Sequence, residues 1–101
     1  MTYTYHLHPL AYNDYYDAYT WYQNKQEELG ERFLKAVRNK IEKIALNPKA
    51  YSHKSNKSFR EAKVEFFPYL IVYKIKKGTQ EIFISSIFHT KRNPRKKYRK
   101  E

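Results

Sequence analysis

The sequence predicts an α+β fold of order β-α-α-β-β-β, with a helical hairpin packed on a four-stranded, mostly antiparallel sheet. Three observations predict it. Residues 2–7 alternate with period two and are rich in threonine and tyrosine. Residues 10–46 carry apolar side chains at helical spacing. Residues 59–89 hold three strand-like segments punctuated by Pro68 and Gly78.

Each element has a local reason. The first strand ends at His8-Pro9, and a proline with its fixed φ and missing N–H suits the first turn of a helix. The first helix is read over residues 10–29, with Ala11, Tyr15, Ala18 and Tyr22 on one stripe and Tyr12, Tyr16 and Tyr19 beside it. This tyrosine stripe is expected to pack into the core or against the second helix. Asp14 and Asp17 fall towards its N-terminal end, where the helix dipole favours negative charge. Gly30 is expected to break the run.

The second helix is read over residues 31–46, with Phe33, Leu34, Val37, Ile41, Ile44 and Ala45 on a clean stripe. Asn47-Pro48 stops it, because the residue before proline avoids the helical region. Residues 49–58 (KAYSHKSNKS) read as a loop. The second strand is expected over residues 59–67, with Ala62, Val64 and Phe66 in phase. The third, residues 69–75 (YLIVYKI), and the fourth, residues 81–89 (EIFISSIFH), are apolar on both faces and read as central strands joined by a turn at residues 76–79. Nothing remains to cover the sheet's second face, so that face is expected to be partly exposed.

At 101 residues the chain has room for one domain, read as residues 1–101 with a basic C-terminal tail at residues 90–101. A 41% hydrophobic and 18% aromatic composition excludes a disordered chain despite the high charge. There is no cysteine, which excludes a disulfide framework or thiolate metal site and suits a reducing cytoplasm. The N-terminus does not read as a signal peptide. Apolar stretches of about seven residues fall far short of the ~20 needed to cross a bilayer. The expected location is therefore cytoplasmic, with no membrane association.

The net charge of +11 is unevenly placed. Residues 1–31 carry one basic and five acidic side chains, whereas residues 32–100 carry twenty basic and four acidic ones. Such asymmetry steers an acidic partner towards one side of the molecule. Spread cations suit contact with phosphates or an acidic peptide without base-specific readout.

Residues 59–64 (FREAKV), 67–75 (FPYLIVYKI) and 84–94 (ISSIFHTKRNP), together with the passage from Trp21-Tyr22 through Gly30-Glu31-Arg32-Phe33, resemble the RelE/ParE superfamily of type II toxins. The resemblance spans nearly the whole chain. It implies a cognate antitoxin as partner and two mechanisms on one fold. RelE-like members cleave mRNA in the ribosomal A site; ParE-like members inhibit DNA gyrase. The site, not the fold, must choose between them.

An RNase needs a base for the 2′-hydroxyl, a cation for the growing phosphate charge and an acid for the leaving oxygen. Two lysines of the RelE pattern match Lys63 and Glu65, so the second is reversed in charge, and an arginine position corresponds to Leu70. Lys63, Arg60, His89, Arg92 and Tyr98 would be the catalytic set of a metal-independent endoribonuclease. Its incompleteness favours the ParE-like branch, a non-catalytic inhibitor. A non-toxic member that binds only antitoxin or nucleic acid is a further alternative.

Each candidate has a structural role to set beside the functional one. His89, at a strand end, more often caps a sheet than acts as a base. Arg60 either meets phosphate, pairs with Glu61 or Glu65, or packs under the sheet. Lys63 reads as a solvated strand lysine, and Tyr69 and Tyr73 as packing residues on one face. The cations expected to meet a partner are Arg60, Lys63, Lys91, Arg92, Arg95, Lys96, Lys97, Arg99 and Lys100. His6 and His8 share a strand face but lack a third ligand, so no metal or other cofactor is expected. The antitoxin is expected to lay a strand or helix across the groove between the hairpin and the sheet. Both a homodimer and a heterotetramer with the antitoxin fit the resemblance.

Overall fold

A computed structural model describes residues 2–53, 58–92 and 97–101. Its elements are β1 (Thr4–Leu7), α1 (Pro9–Lys25), α2 (Leu29–Leu46), a 3-10 turn (Pro48–Ala50), β2 (Arg60–Lys63), β3 (Tyr69–Ile75) and β4 (Glu81–His89). The strand order across the sheet is β1-β4-β3-β2. β4 pairs antiparallel with β3, and β3 with β2, while β1 lies parallel to β4. The predicted element order therefore holds, on a mixed sheet. Residues 54–57 of the expected 49–58 loop, and Asn93 and Pro94 after β4, lie outside the described residues.

The helix boundaries move, for a physical reason. Pro9 opens α1, where the His8 ring accepts a hydrogen bond from the Leu10 amide at 3.0 Å. α1 ends at Lys25, and the turn into α2 is made by Glu28 at φ 71 rather than by Gly30. Gly30 lies buried inside the first turn of α2. A Cβ there would sit 2.7 Å from the Gln23 side-chain oxygen and 2.8 Å from the Tyr19 carbonyl. Its glycine thus permits close approach of the two helices rather than breaking them apart.

The stripe of Ala11, Tyr15, Ala18 and Tyr22 on α1 packs as expected, while the tyrosines beside it divide. Tyr22 is buried and Tyr15 half-buried, with the Tyr15 hydroxyl donating to the Leu34 carbonyl at 3.2 Å. Tyr12 and Tyr16 face outwards. Asp14 does not serve the helix dipole, since the first turn of α1 holds no acidic residue. It pairs instead with the C-terminal tail.

Between hairpin and sheet lies the main core. Phe33 is fully buried, its ring 5.0 Å from Tyr69 and 5.3 Å from both Tyr22 and Phe67, mostly in the edge-to-face arrangements that aromatic quadrupoles favour. Ile71 and Tyr73 continue the same face of β3. The Tyr73 hydroxyl donates to the Pro48 carbonyl at 2.5 Å, and burial raises its pKa far above the usual tyrosine range.

A bulge in β4 lets both faces of that strand stay apolar. Val72 is opposite Ser86 and Tyr73 opposite Ile84, which leaves Ser85 as the extra residue. Ile82 and Ile84 point to the helices before it, and Ile87 after it. Phe88 is thereby turned to the other face, beside Val72 and Phe59.

β2 is shorter than expected. It stops at Lys63, and Val64 closes the β2–β3 connection by donating to the Tyr69 carbonyl at 2.9 Å. Ala62 and Val64 are buried as predicted, but Phe66 is 91% exposed at φ 70. The connection turns there, so the period-two phase is lost before it reaches Phe66.

Candidate functional site

The sheet's second face is covered, contrary to the expectation of an open one, and the basic tail covers it. Residues 97–101 cross the strands. Ser86 donates to the Lys97 carbonyl at 2.8 Å, and the Arg99 amide donates to the Ser85 hydroxyl oxygen at 2.5 Å. The bulge that exposes two adjacent serines to the tail is therefore also its docking point.

Two acids hold the tail in place. Glu61 has a nearly buried side chain, 4% exposed, that accepts from the Tyr98 hydroxyl at 2.7 Å and pairs with Lys97 at 2.9 Å. A buried carboxylate must be matched in this way, or its desolvation opposes folding. Asp14 takes both guanidinium nitrogens of Arg99, at 2.7 and 3.1 Å, and accepts from the Ile87 amide at 3.1 Å. Glu101 closes the strap at the far edge, 2.9 Å from both Lys76 and His6. These contacts hold the Glu101 carboxyl below the usual range, with the Lys76 hydrogen bond the main cause.

This geometry separates the sequence-predicted site residues. Lys63 is exposed on the tail side, in register with Leu70, which is itself packed against the cluster of Phe59, Val72 and Phe88. Tyr98 lies on that side too, its ring 5.2 Å from Phe59 and its hydroxyl held by Glu61. Arg60, three residues before Lys63, falls on the opposite face by strand alternation. It donates to the Tyr51 carbonyl at 2.6 Å, while Glu61 and Glu65 pair with Lys97 and Lys43.

His89 stands at the end of β4 with its ring 5.0 Å from Tyr69. Tyr69 and Tyr73, the partners of His89 and Arg60 in the sheet, are four residues apart, about 13 Å along a strand. The five residues of an endoribonuclease set are thus spread over two faces and two ends of the sheet.

His89 has the cap role. Its Nδ1 accepts from the Lys91 amide at 3.1 Å, which leaves the proton of the neutral ring on Nε2. Burial lowers its pKa, and the Arg92 and Lys91 charges lower it further. With Trp21, Tyr22, Tyr69 and Arg92 it lines an open groove of about 680 Å³ against α1.

The tail cations divide likewise. Lys97 and Arg99 are engaged internally; Lys91, Arg92 and Lys100 face outwards. Arg95 and Lys96 lie outside the described residues. His6 meets Glu101 and His8 caps α1, so both histidines have partners within the chain.

Sequence reasoning gave Asp14 to the helix dipole and Glu61 to Arg60, and it passed over Ser85-Ser86. The available signals were a carboxylate inside a strand of an otherwise basic region and a polar pair interrupting the apolar run of β4. Neither signal says what the partner would be.

Two helices on a four-stranded mixed sheet with a basic C-terminus place the chain in the RelE/ParE class. A family model described as the ParE toxin of type II toxin–antitoxin system, parDE, matches residues 5–94. The chain belongs to the ParE toxin family and is a type II toxin by that membership.

Among solved structures it is similar to a chromosomal ParDE toxin–antitoxin system from P. aeruginosa, with TM-score 0.66 and 21% identity over 89% of this chain and 98% of that one. It is also similar to a mutant of the E. coli toxin RelE in the free state, with TM-score 0.60 and 14% identity over 90% of this chain and 86% of that one. At such identities the likeness is one of fold. A comparison with curated proteins finds no match. Among the described residues no helix is long and apolar enough to cross a membrane.

Proposed function

We propose that this toxin acts in the cytoplasm by binding and inhibiting DNA gyrase, and that a cognate antitoxin neutralises it. The observation that carries the reading is the state of the sheet face that an mRNA-cleaving member would use. There, Leu70 lies in an apolar cluster beside Lys63, and the Tyr98 hydroxyl is held by the Glu61 carboxylate. A scissile phosphate entering this face would meet Phe59 and Phe88 and a Lys97 ammonium already neutralised by the buried Glu61 carboxylate, whereas a phosphoryl transition state needs preorganised positive charge free to meet it. Inhibition by binding asks only for a surface. The outward cations Lys63, Lys91, Arg92 and Lys100 supply one that attracts an acidic partner, with an affinity that falls as salt rises.

The test combines two assays on the purified chain. Gyrase supercoiling should be inhibited at stoichiometric toxin, and a His89→Ala/Arg92→Ala double mutant should weaken inhibition without abolishing it. Ribosome-bound message should stay intact at high toxin excess. Cleavage of that message, with supercoiling untouched, would reject the gyrase reading in favour of the endoribonuclease one.

A further inference from the structure

At one end of the sheet β3 outruns β2. Arg60, the first residue of β2, pairs with Tyr73, so Lys74 and Ile75 continue with β4 alone, opposite Phe83 and Ile82. Between the start of β2 and the β3–β4 turn this leaves a concave notch of about 350 Å³. Because the notch lies at a strand edge, side chains from both faces of the sheet reach it. Arg60 comes from the helix side with Tyr73, and Lys74 from the tail side, over the rings of Phe59 and Phe83.

The notch is strongly and unevenly charged. Lys49, Arg60, Lys74, Lys76 and Lys77 line it. Lys76 is committed, with Glu101 at 2.9 Å and Glu81 at 3.8 Å. The other four have no ion pair among the described residues, and residues 49–60 contain no aspartate or glutamate to supply one. Even with Glu81 and Glu101 counted, the five cations leave the notch well in positive excess.

Exposed lysines beside an open strand edge serve to keep other strands away, and Lys49 and Lys77 fit that role. Arg60 and Lys74 do not, because both are half-buried. Withdrawing a cation from water without an anion opposes folding. Lys97 and Arg99, also half-buried, each meet a carboxylate. Arg60 instead donates to the Tyr51 carbonyl at 2.6 Å, which fixes the guanidinium and leaves its charge unneutralised.

We propose that this notch is a binding site for linked phosphate groups, as carried by pyrophosphate or a nucleoside triphosphate, with Arg60 and Lys74 as the inner donors. The planar guanidinium suits phosphate oxygens, and the lysines add point charges around it. Apart from Tyr3 and Ile75 the lining side chains are polar, so the notch lacks the apolar anchors on which a docked peptide depends. It lies at the opposite end of β3 from His89. The inference goes beyond the gyrase reading and stands whether or not gyrase is the target.

The experiment is calorimetric titration of the full chain in magnesium-free buffer with pyrophosphate, ATP, GTP and sulfate. Pyrophosphate should bind at least about tenfold more tightly than sulfate, whose charge is smaller. Lys74→Gln should weaken pyrophosphate at least about tenfold, the loss of one charge-assisted contact. The double variant Lys49→Gln/Lys77→Gln changes only exposed side chains, so the fold is kept, and it should weaken binding about threefold or more. Lys35→Gln, on α2 and outside the notch, should change it by less than about twofold. Pyrophosphate should also raise the melting temperature of the parent and leave that of Lys74→Gln in place.

Equal affinity for pyrophosphate and both nucleotides would assign the site to the phosphate chain itself; preference for one nucleotide would add a base contact at Tyr3. Either result sustains the proposal. Equal losses in Lys35→Gln and Lys74→Gln would overturn it, since the attraction would then be diffuse. So would a short polyglutamate peptide that binds as tightly as pyrophosphate, or Lys74-dependent binding of duplex DNA that pyrophosphate fails to displace. Supercoiling measured in parallel keeps the two readings apart, because a chain that binds pyrophosphate yet leaves gyrase untouched refutes only the gyrase target.

Discussion

The two faces of the sheet are held by different forces. On the helix side, Phe33, Val37, Ile71 and Ile84 are completely buried, and side chains of both helices interlock with those of three strands. On the tail side the apolar cluster is small, comprising Phe59, Val72 and Phe88 with Leu70 and Tyr98, and the strap over it is fastened largely by charge. Burial of apolar area involves no charge to be screened by salt or titrated by mild acid. Ion pairs respond to both, and those open to water respond most. The comparison teaches that one small sheet can carry a permanent core on one face and a conditional cover on the other.

The largest effect should come from the permanent side. Phe33→Ala removes the ring at the centre of the aromatic cluster and should cost about 3–5 kcal/mol. Against a typical total of about 5–15 kcal/mol for a domain, the urea midpoint should collapse. A small loss would mean that the surrounding rings close the cavity and that the helix side is less rigid than its burial implies.

Glu61→Gln tests the conditional side. It keeps the shape but withdraws the charge facing Lys97, and the expected loss is about 1–3 kcal/mol. The more telling readout is local. Amide exchange at Arg99 should accelerate beyond the global change, while exchange at Val37 and Ile71 should follow global stability alone. Equal acceleration everywhere would show that strap and core open as one unit. Raising salt towards 1 M, where the screening length shrinks to about 3 Å, should move Arg99 in the same direction.

Tyr73→Phe is milder. It removes the hydroxyl that donates to the Pro48 carbonyl, so denaturation should show a loss of about 1 kcal/mol. A neutral result would mean that water replaces the hydroxyl in a site with little room for it.

The smallest effect concerns His89, whose pKa is lowered in the fold by burial and by the cations Arg92 and Lys91. The unfolded ring titrates near 6.5, so between that value and the lower folded one the unfolded chain binds more protons. The contribution is complete above about pH 6.5 and is lost as the pH falls through the folded pKa. His89→Gln should therefore flatten the fall in melting temperature between about pH 7 and pH 5. An unchanged slope would put that pH response elsewhere in the molecule.

Much of this fold was legible because its signals are local. Pro9 at a helix start, Asn47-Pro48 at a helix end and the apolar stripe of α2 act within a few residues, and each element they imply is present. Legibility failed where a local rule met a competing contact. Gly30 resembles a helix breaker but is needed for helix–helix approach, and Glu28 makes the turn. Phe66 continues an alternating pattern but falls on a turn that reverses the chain. Of the candidate site, residue types could be read but not their convergence. Arg60 and Lys63 are three apart, and alternation alone sends them to opposite faces once β2 is a strand.

By itself, then, the sequence determined the order and type of the elements, the uneven charge and the family. All of these depend on composition and short spacings. Only the tertiary structure decided that β1 lies parallel to β4, that the β4 bulge turns Phe88 outwards, and that Lys97, Tyr98 and Arg99 are spent on Glu61 and Asp14. The partners in those pairings are separated by 37 to 85 residues where hydrogen bonds join them. No periodicity or local propensity specifies contacts at such range. They are chosen by the need to match a buried carboxylate with a cation and to remove an apolar sheet face from water.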